Sequence, residues 1–261
     1  MTSIFQYIGS LLISSVIFLS LFFIERNPTL FSAFVGAGVS IVSLVLVYLF
    51  VHSLHPRRYE LFTYSIILGI SVFGLISVVE YPLIRFFLMA ALSVSLGLVY
   101  GWGVVGTGGM FVTEKPVRRF FVMILMFALF SLATVYFAVG ILGITPPGTA
   151  VLVFNTLILS LLFAGVVMLI WRLYQGTPFR SFVFLGACIA LLVFELALVI
   201  RLLPLGYIVS GFLLAWIVYI IQLLARFHLT DKGIIWKEQR LFLILNAVLF
   251  IIFFLFYVRW V

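Results

Sequence analysis

Apolar residues in this chain come in blocks of about twenty, each closed by a few polar or turn-forming residues. Nine blocks can be read, at approximately 7–24, 31–52, 61–80, 84–104, 120–143, 149–171, 181–203, 205–226 and 241–259. None alternates apolar and polar residues as a half-buried strand does, and none carries a polar stripe wide enough to face water. A helix rises about 1.5 Å per residue, so about 20 apolar residues cross a hydrocarbon core of about 30 Å. The separators are turn chemistry: Asn27-Pro28, His55-Pro56-Arg57-Arg58, Tyr81-Pro82, Glu114-Lys115-Pro116, Pro146-Pro147-Gly148, Gly176-Thr177-Pro178 and Leu203-Pro204. Several of these prolines stand just before or just inside the next block, where a missing N–H costs a helix least. The pattern predicts an all-α, polytopic transmembrane helix bundle of about nine spans. The tightest breaks are the hairpins at Pro82 and Pro204.

Composition agrees. Hydrophobic residues make up 66% of the chain and charged ones 8%, against about 25% charge in a soluble domain. That little charge cannot coat a water-facing surface, so lipid is the expected solvent and main partner. The first block has no Lys or Arg before it and no small-x-small cleavage site after it, which favours a retained helix over a signal peptide.

The net charge of +8 would suggest nucleic acid in a soluble protein. Here the basic residues sit in the gaps, and their distribution orients the chain. Gaps after even-numbered blocks hold Arg57, Arg58, Lys115, Arg118, Arg119, Arg172, Arg180, Arg226, Lys232, Lys237 and Arg240. Gaps after odd-numbered blocks, with the C-terminus, hold only Arg26, Arg85, Arg201 and Arg259. Eleven against four in alternating short loops places the even-numbered gaps in the cytoplasm. The N-terminus is then cytoplasmic and the C-terminus outside, in the plasma membrane, or the inner membrane of a prokaryote. No nucleic-acid partner is expected.

No gap exceeds about 16 residues, so residues 1–261 read as a single membrane domain without room for a built-in ATPase, kinase or dinucleotide-binding module. The longest gap, Arg226 to Arg240, reads as a basic interfacial segment. Its Trp236 lies against headgroups and its Lys232, Lys237 and Arg240 near anionic lipid. Trp102 and Trp171, at cytoplasmic block ends, fit an aromatic belt. Small residues at four-residue spacing mark helix contacts within the chain: Ser32, Gly36 and Ser40 in the second block, Gly211 and Ala215 in the eighth. A seam between two copies is the alternative. Gln222 and Asn246 are expected to hydrogen-bond between helices.

Candidate chemistry is sparse. Glu195 stands in Ala190-Leu191-Leu192-Val193-Phe194-Glu195-Leu196-Ala197-Leu198, with no other charge within a turn. It lies roughly 10 Å below the outer end of its helix. A charge at bilayer depth costs at least about 2.5–3.5 kcal/mol and marks a partner or a cavity. It is therefore read as a proton or cation site, as an acid–base group opening outward, or as a protonated or hydrogen-bonded carboxyl fixing two helices together. Cys188, the only cysteine, falls about 20° from the same face and reads as a packing residue. Arg201 is about 120° around the helix from Glu195 and makes no i,i+4 pair with it. It is read as snorkelling to the outer headgroups, or as grouped with Glu25, Arg26, Glu80, Tyr81, Arg85 and Asn155 on the same side, which form either an outward pocket for a phosphate-bearing lipid or small zwitterion, or a rim of ion pairs.

Gly101-Trp102-Gly103-Val104-Val105-Gly106 matches a dinucleotide string, but it closes a membrane helix with no strand before it. His52 and His55 are three apart, beside Pro56, without a convincing third ligand. No metal and no cofactor are expected. Gly-x-Ser-x-Gly and His-Glu-x-x-His are both absent. Three functions remain open: ion- or proton-coupled transport of a small solute, favoured slightly by the deep carboxylate; an enzyme or flippase working on a lipid-linked substrate at the outer leaflet; and an accessory or assembly subunit of a membrane complex.

Overall fold

The structure is a computed structural model that describes residues 11, 14–19, 21–22, 59–105, 115–142, 148–175, 179–229 and 236–257. Every regular element among them is helical: α1 (Tyr59–Val78), α2 (Pro82–Val105), α3 (Lys115–Ile141), α4 (Thr149–Gln175), α5 (Val183–Arg201), α6 (Tyr207–His228) and α7 (Trp236–Tyr257). A 3-10 turn over Phe179–Phe182 leads into α5. These helices coincide with the third to ninth apolar blocks, and residues 14–19 of the first block are helical as well. The second block, with Ser32, Gly36, Ser40, His52 and His55, lies outside the described residues.

Helix is the only open-ended structure whose backbone satisfies its own hydrogen bonds in lipid. Four segments are long and apolar enough to cross a membrane: Arg118–Ile141, Thr149–Gln175, Arg180–Arg201 and Tyr207–His228. Thr63–Val78, Pro82–Leu98 and Gln239–Phe253 are shorter apolar helices. The chain is thus an all-helical protein of the kind a membrane bundle requires. Helix breaks stand at both tight hairpins, with three residues between α1 and α2 and five between α5 and α6. Pro82 is the first residue of α2, where its fixed φ suits the helix and no donor is lost.

The helices outrun their apolar blocks where flanking residues are good helix formers. Lys115 to Arg119 belong to α3, and Trp236 to Arg240 open α7. Of the interfacial segment expected between Arg226 and Arg240, Arg226–His228 end α6 and Trp236–Arg240 open α7, while residues 230–235, with Lys232, lie outside the described residues. Lys, Glu, Gln and Arg carry a helix past the hydrocarbon at little cost.

By contacts the chain divides into two compact units, Met1–Ala128 and Leu129–Val261, with the boundary inside α3. In the first, α1 packs on α2. The buried positions of α1 (Tyr64, Leu68, Val72 and Leu75) recur every three or four residues, which is one helical face. Tyr64 meets the Phe121 ring at 5.4 Å. Phe18 meets Phe86 of α2 edge-on at 5.5 Å.

In the second unit α4 and α5 are closely packed, and α5 also packs on α6. Gly186 lets α5 sit on Met168 of α4, whose sulfur is 2.5 Å from where a Cβ would be. Gly211 brings α6 against the backbone of α3: a Cβ there would meet Thr134 N at 2.7 Å and Thr134 Cα at 2.8 Å. Small residues permit such crossings, which a membrane bundle needs because lipid supplies little drive for association. The Gly211–Ala215 stripe is a contact within the chain. An aromatic seam joins α6 to α7, with Trp216 within 6.4 Å of Phe250 and Phe253, and Tyr219 meeting Phe242.

Candidate functional site

Polar groups inside the bundle are mostly spent on their own helices. Ser71, Ser93, Thr134 and Thr156 each donate to the carbonyl four residues back, at 2.5–2.9 Å. This satisfies a hydroxyl without exposing the backbone. Other polar contacts tie helices together. The Tyr136 hydroxyl meets Thr156 Oγ1 at 2.6 Å. The Trp216 indole N–H donates to Asn246 Oδ1 at 2.9 Å, while Asn246 Nδ2 donates to the Phe242 carbonyl. Asn246 is the interhelical residue expected of it. The sequence carried no signal for the Tyr136–Thr156 pair, because a Tyr and a Thr at helical positions are ordinary membrane residues.

Two expectations are revised. Trp171 is fully buried, with its indole N–H donating to the Gln222 carbonyl at 3.2 Å and its ring 5.9 Å from Phe182. It is a core residue and not part of an interfacial belt, because α4 continues one turn beyond it to Gln175. Gln222 is fully buried, yet neither its Nε2 nor its Oε1 has a hydrogen-bond partner. Only its backbone carbonyl is used. A buried amide without partners costs about 1–3 kcal/mol.

The candidate charges fall into separate places. Glu80 and Arg85 belong to the first unit. Glu80 is exposed in the α1–α2 turn, and the half-buried Arg85 donates its Nε–H to the Val79 carbonyl. Arg85 thus closes the end of α1, where carbonyls lack helical partners.

Asn155, Glu195 and Arg201 belong to the second unit. Asn155, next to the Tyr136–Thr156 tie, is half-buried. Arg201, at the last position of α5, lays its guanidinium on Gly140 near the end of α3; a Cβ on Gly140 would stand 3.0 Å from its Nη1. A cation there faces the negative end of the α3 dipole, an interaction typically of about 0.3–1 kcal/mol.

Glu195 sits on the opposite side of α5 from the packing. The buried residues Gly186, Ile189, Val193, Ala197 and Ile200 form one face. Phe184, Cys188, Leu191, Glu195, Val199 and Leu202 are exposed and form the other, all within about 40° of Glu195 by helical geometry. Among the described residues Glu195 has no hydrogen bond or ion pair, and Arg201 is turned away from it onto α3. The position is deep: about 18 Å along the axis from Val183 and about 9 Å from Arg201. Among the described residues no Asp, Glu, Lys or Arg is buried.

The dinucleotide-like string falls where expected, since Gly101 to Val105 are the last turn of α2. Searches against protein-family models, curated proteins and solved structures gave no match for the chain.

Proposed function

We propose that the protein is a multi-pass subunit of a membrane complex, with about nine spans, a cytoplasmic N-terminus and an external C-terminus. The loop-charge asymmetry supports that orientation in a plasma membrane, the inner membrane in a prokaryote. The same basic loops suit anionic lipid at the cytoplasmic face.

One observation carries the subunit reading: the carboxyl of Glu195 is on the exposed face of α5, while among the described residues no buried position is charged. A conducting or coupling path through the second unit would set its ionisable groups between helices. There, among the described residues, the packing is apolar side chains, hydroxyls that mostly bond their own backbone, and uncharged polar groups such as Gln222 and Asn246. The enzyme or flippase reading suffers a further electrostatic difficulty. A phosphate-bearing substrate approaching Glu195 would find an acidic side chain and no cation, because Arg201, the nearest on its helix, lies against Gly140.

The test is the mass of the chain extracted with its native membrane in polymer nanodiscs. A particle heavier than one chain plus its lipid is expected, and a single chain would end the subunit reading. Transport retains one observation in its favour, the unpartnered amide of Gln222 inside the bundle. Proton or cation flux in proteoliposomes holding the chain alone, lost on Glu195→Gln, would establish transport in its place.

A further inference from the structure

The exposed face of α5 has an apolar body and one charge, and that combination specifies what covers it. Among the four long apolar segments, the one containing α5 is the least enclosed, with 28% of its apolar stretch buried against 39–56% in the others. Ala187 and Cys188 make a low point on the face, flanked by Phe184 and Leu191, where another helix can come close. Glu195 lies two turns further along the same line.

Hydrocarbon cannot satisfy a carboxylate, and the nearest candidate cation on its own helix, Arg201, points to α3. A second copy in the same membrane orientation would bring its own Glu195 to the same depth and add like charge. The chemistry that fits is a spanning helix with a single basic side chain at the level of Glu195.

We propose that the Phe184–Leu202 face of α5 is the docking surface for a transmembrane helix of another protein, and that a lysine or arginine of that helix pairs with Glu195. The inference rests on the subunit reading above and gives its partner a chemistry. Apolar residues supply the contact area and the ion pair supplies register, since a shift of one turn would leave both charges unpaired in lipid.

The wild-type chain contains the reporter needed. Cys188 is the only cysteine, is exposed, and lies seven residues before Glu195 on the docking line. The probes are synthetic Leu/Ala spanning peptides with one lysine at the depth of Glu195 and one cysteine seven residues to either side of it. Matched peptides have leucine in place of the lysine. In vesicles under mild oxidation, one lysine peptide should form a disulfide with Cys188. The leucine peptides should do so about five- to thirtyfold less, the range expected for one polar contact between membrane helices. Glu195→Gln should lower the lysine yield to the leucine level. A membrane-soluble carbodiimide should couple to Glu195, and the lysine peptide should protect it.

Equal yields from lysine and leucine peptides, indifference to Glu195→Gln, or Cys188–Cys188 dimers as the main product would each overturn the proposal; the last would make the occupant a second copy. A heavy native particle with lysine-independent crosslinking keeps the subunit reading and removes this one, whereas a single-chain particle removes the reading itself.

Discussion

The crossing of α6 over α3 at Gly211 is the contact with the least room for change. An alanine Cβ there would overlap Thr134 Oγ1 and stand 2.7 Å from Thr134 N and 2.8 Å from Thr134 Cα, where ordinary contact begins at 3.4 Å. A side chain tip can swing aside, but the backbone of a helix cannot, so α3 and α6 must separate by about 0.5–1 Å. Forced overpacking of this kind costs about 1–3 kcal/mol, and a backbone clash belongs at the upper end. Alanine regains about 0.8–1 kcal/mol over glycine from helix propensity. A net loss of about 2 kcal/mol follows, a fall of about 4–8 °C in midpoint at this size.

Size-exclusion recovery of the detergent-solubilised protein after heating would measure it. Gly165→Ala is the matched control, since nothing lies within 4 Å of a Cβ there, and it should be neutral or slightly stabilising. Adding Thr134→Ala removes only the Oγ1 contact and leaves the two backbone contacts, so it should recover little. If Gly211→Ala proved as stable as wild type, or if Thr134→Ala restored it fully, the backbone crossing would be wrong.

Four further outcomes follow from named contacts. Gln222→Met should raise stability by about 1–3 kcal/mol in the same assay, because a buried amide without partners is exchanged for an apolar side chain; destabilisation would show that the amide is satisfied. Asn246→Leu should cost about 0.6–2 kcal/mol and shift the Trp216 fluorescence, since the indole loses its acceptor; an unchanged spectrum would count against the contact. Gly140→Leu should displace the Arg201 guanidinium from α3, costing about 0.3–1 kcal/mol as that charge leaves the helix end. Combining it with Arg201→Ala should then cost no more than Arg201→Ala alone. Tyr136→Phe should destabilise by about 0.6 kcal/mol through loss of the Thr156 contact, and an equal effect in a Thr156→Ala background would show that the pair does not interact.

Much of the architecture is written in local pattern. The length of each apolar block, bounded by Pro, Gly and charged residues, determines helices α1 to α7 to within a few residues, because lipid leaves the backbone no other way to satisfy itself. Pro82 and Pro204 mark real breaks for the same local reason. Gly211 and Ala215 announce a close crossing, since small residues at four-residue spacing have few other uses in a membrane helix.

What the pattern cannot contain is which way each face turns. A helix apolar on every side gives no moment to separate core from periphery, so Trp171 looked interfacial and is core. Gln222 looked like a tie and has none. Glu195 shows the division most clearly. Its depth came from counting residues along one helix, and the cost of a charge at that depth from solvation alone. Its direction came only from the packing of α5, which gives Gly186, Val193 and Ala197 to its neighbours and leaves the carboxyl outside. Depth is a property of one helix in a bilayer and can be read along the chain. Facing is a property of several helices together, decided by which small residues let them approach.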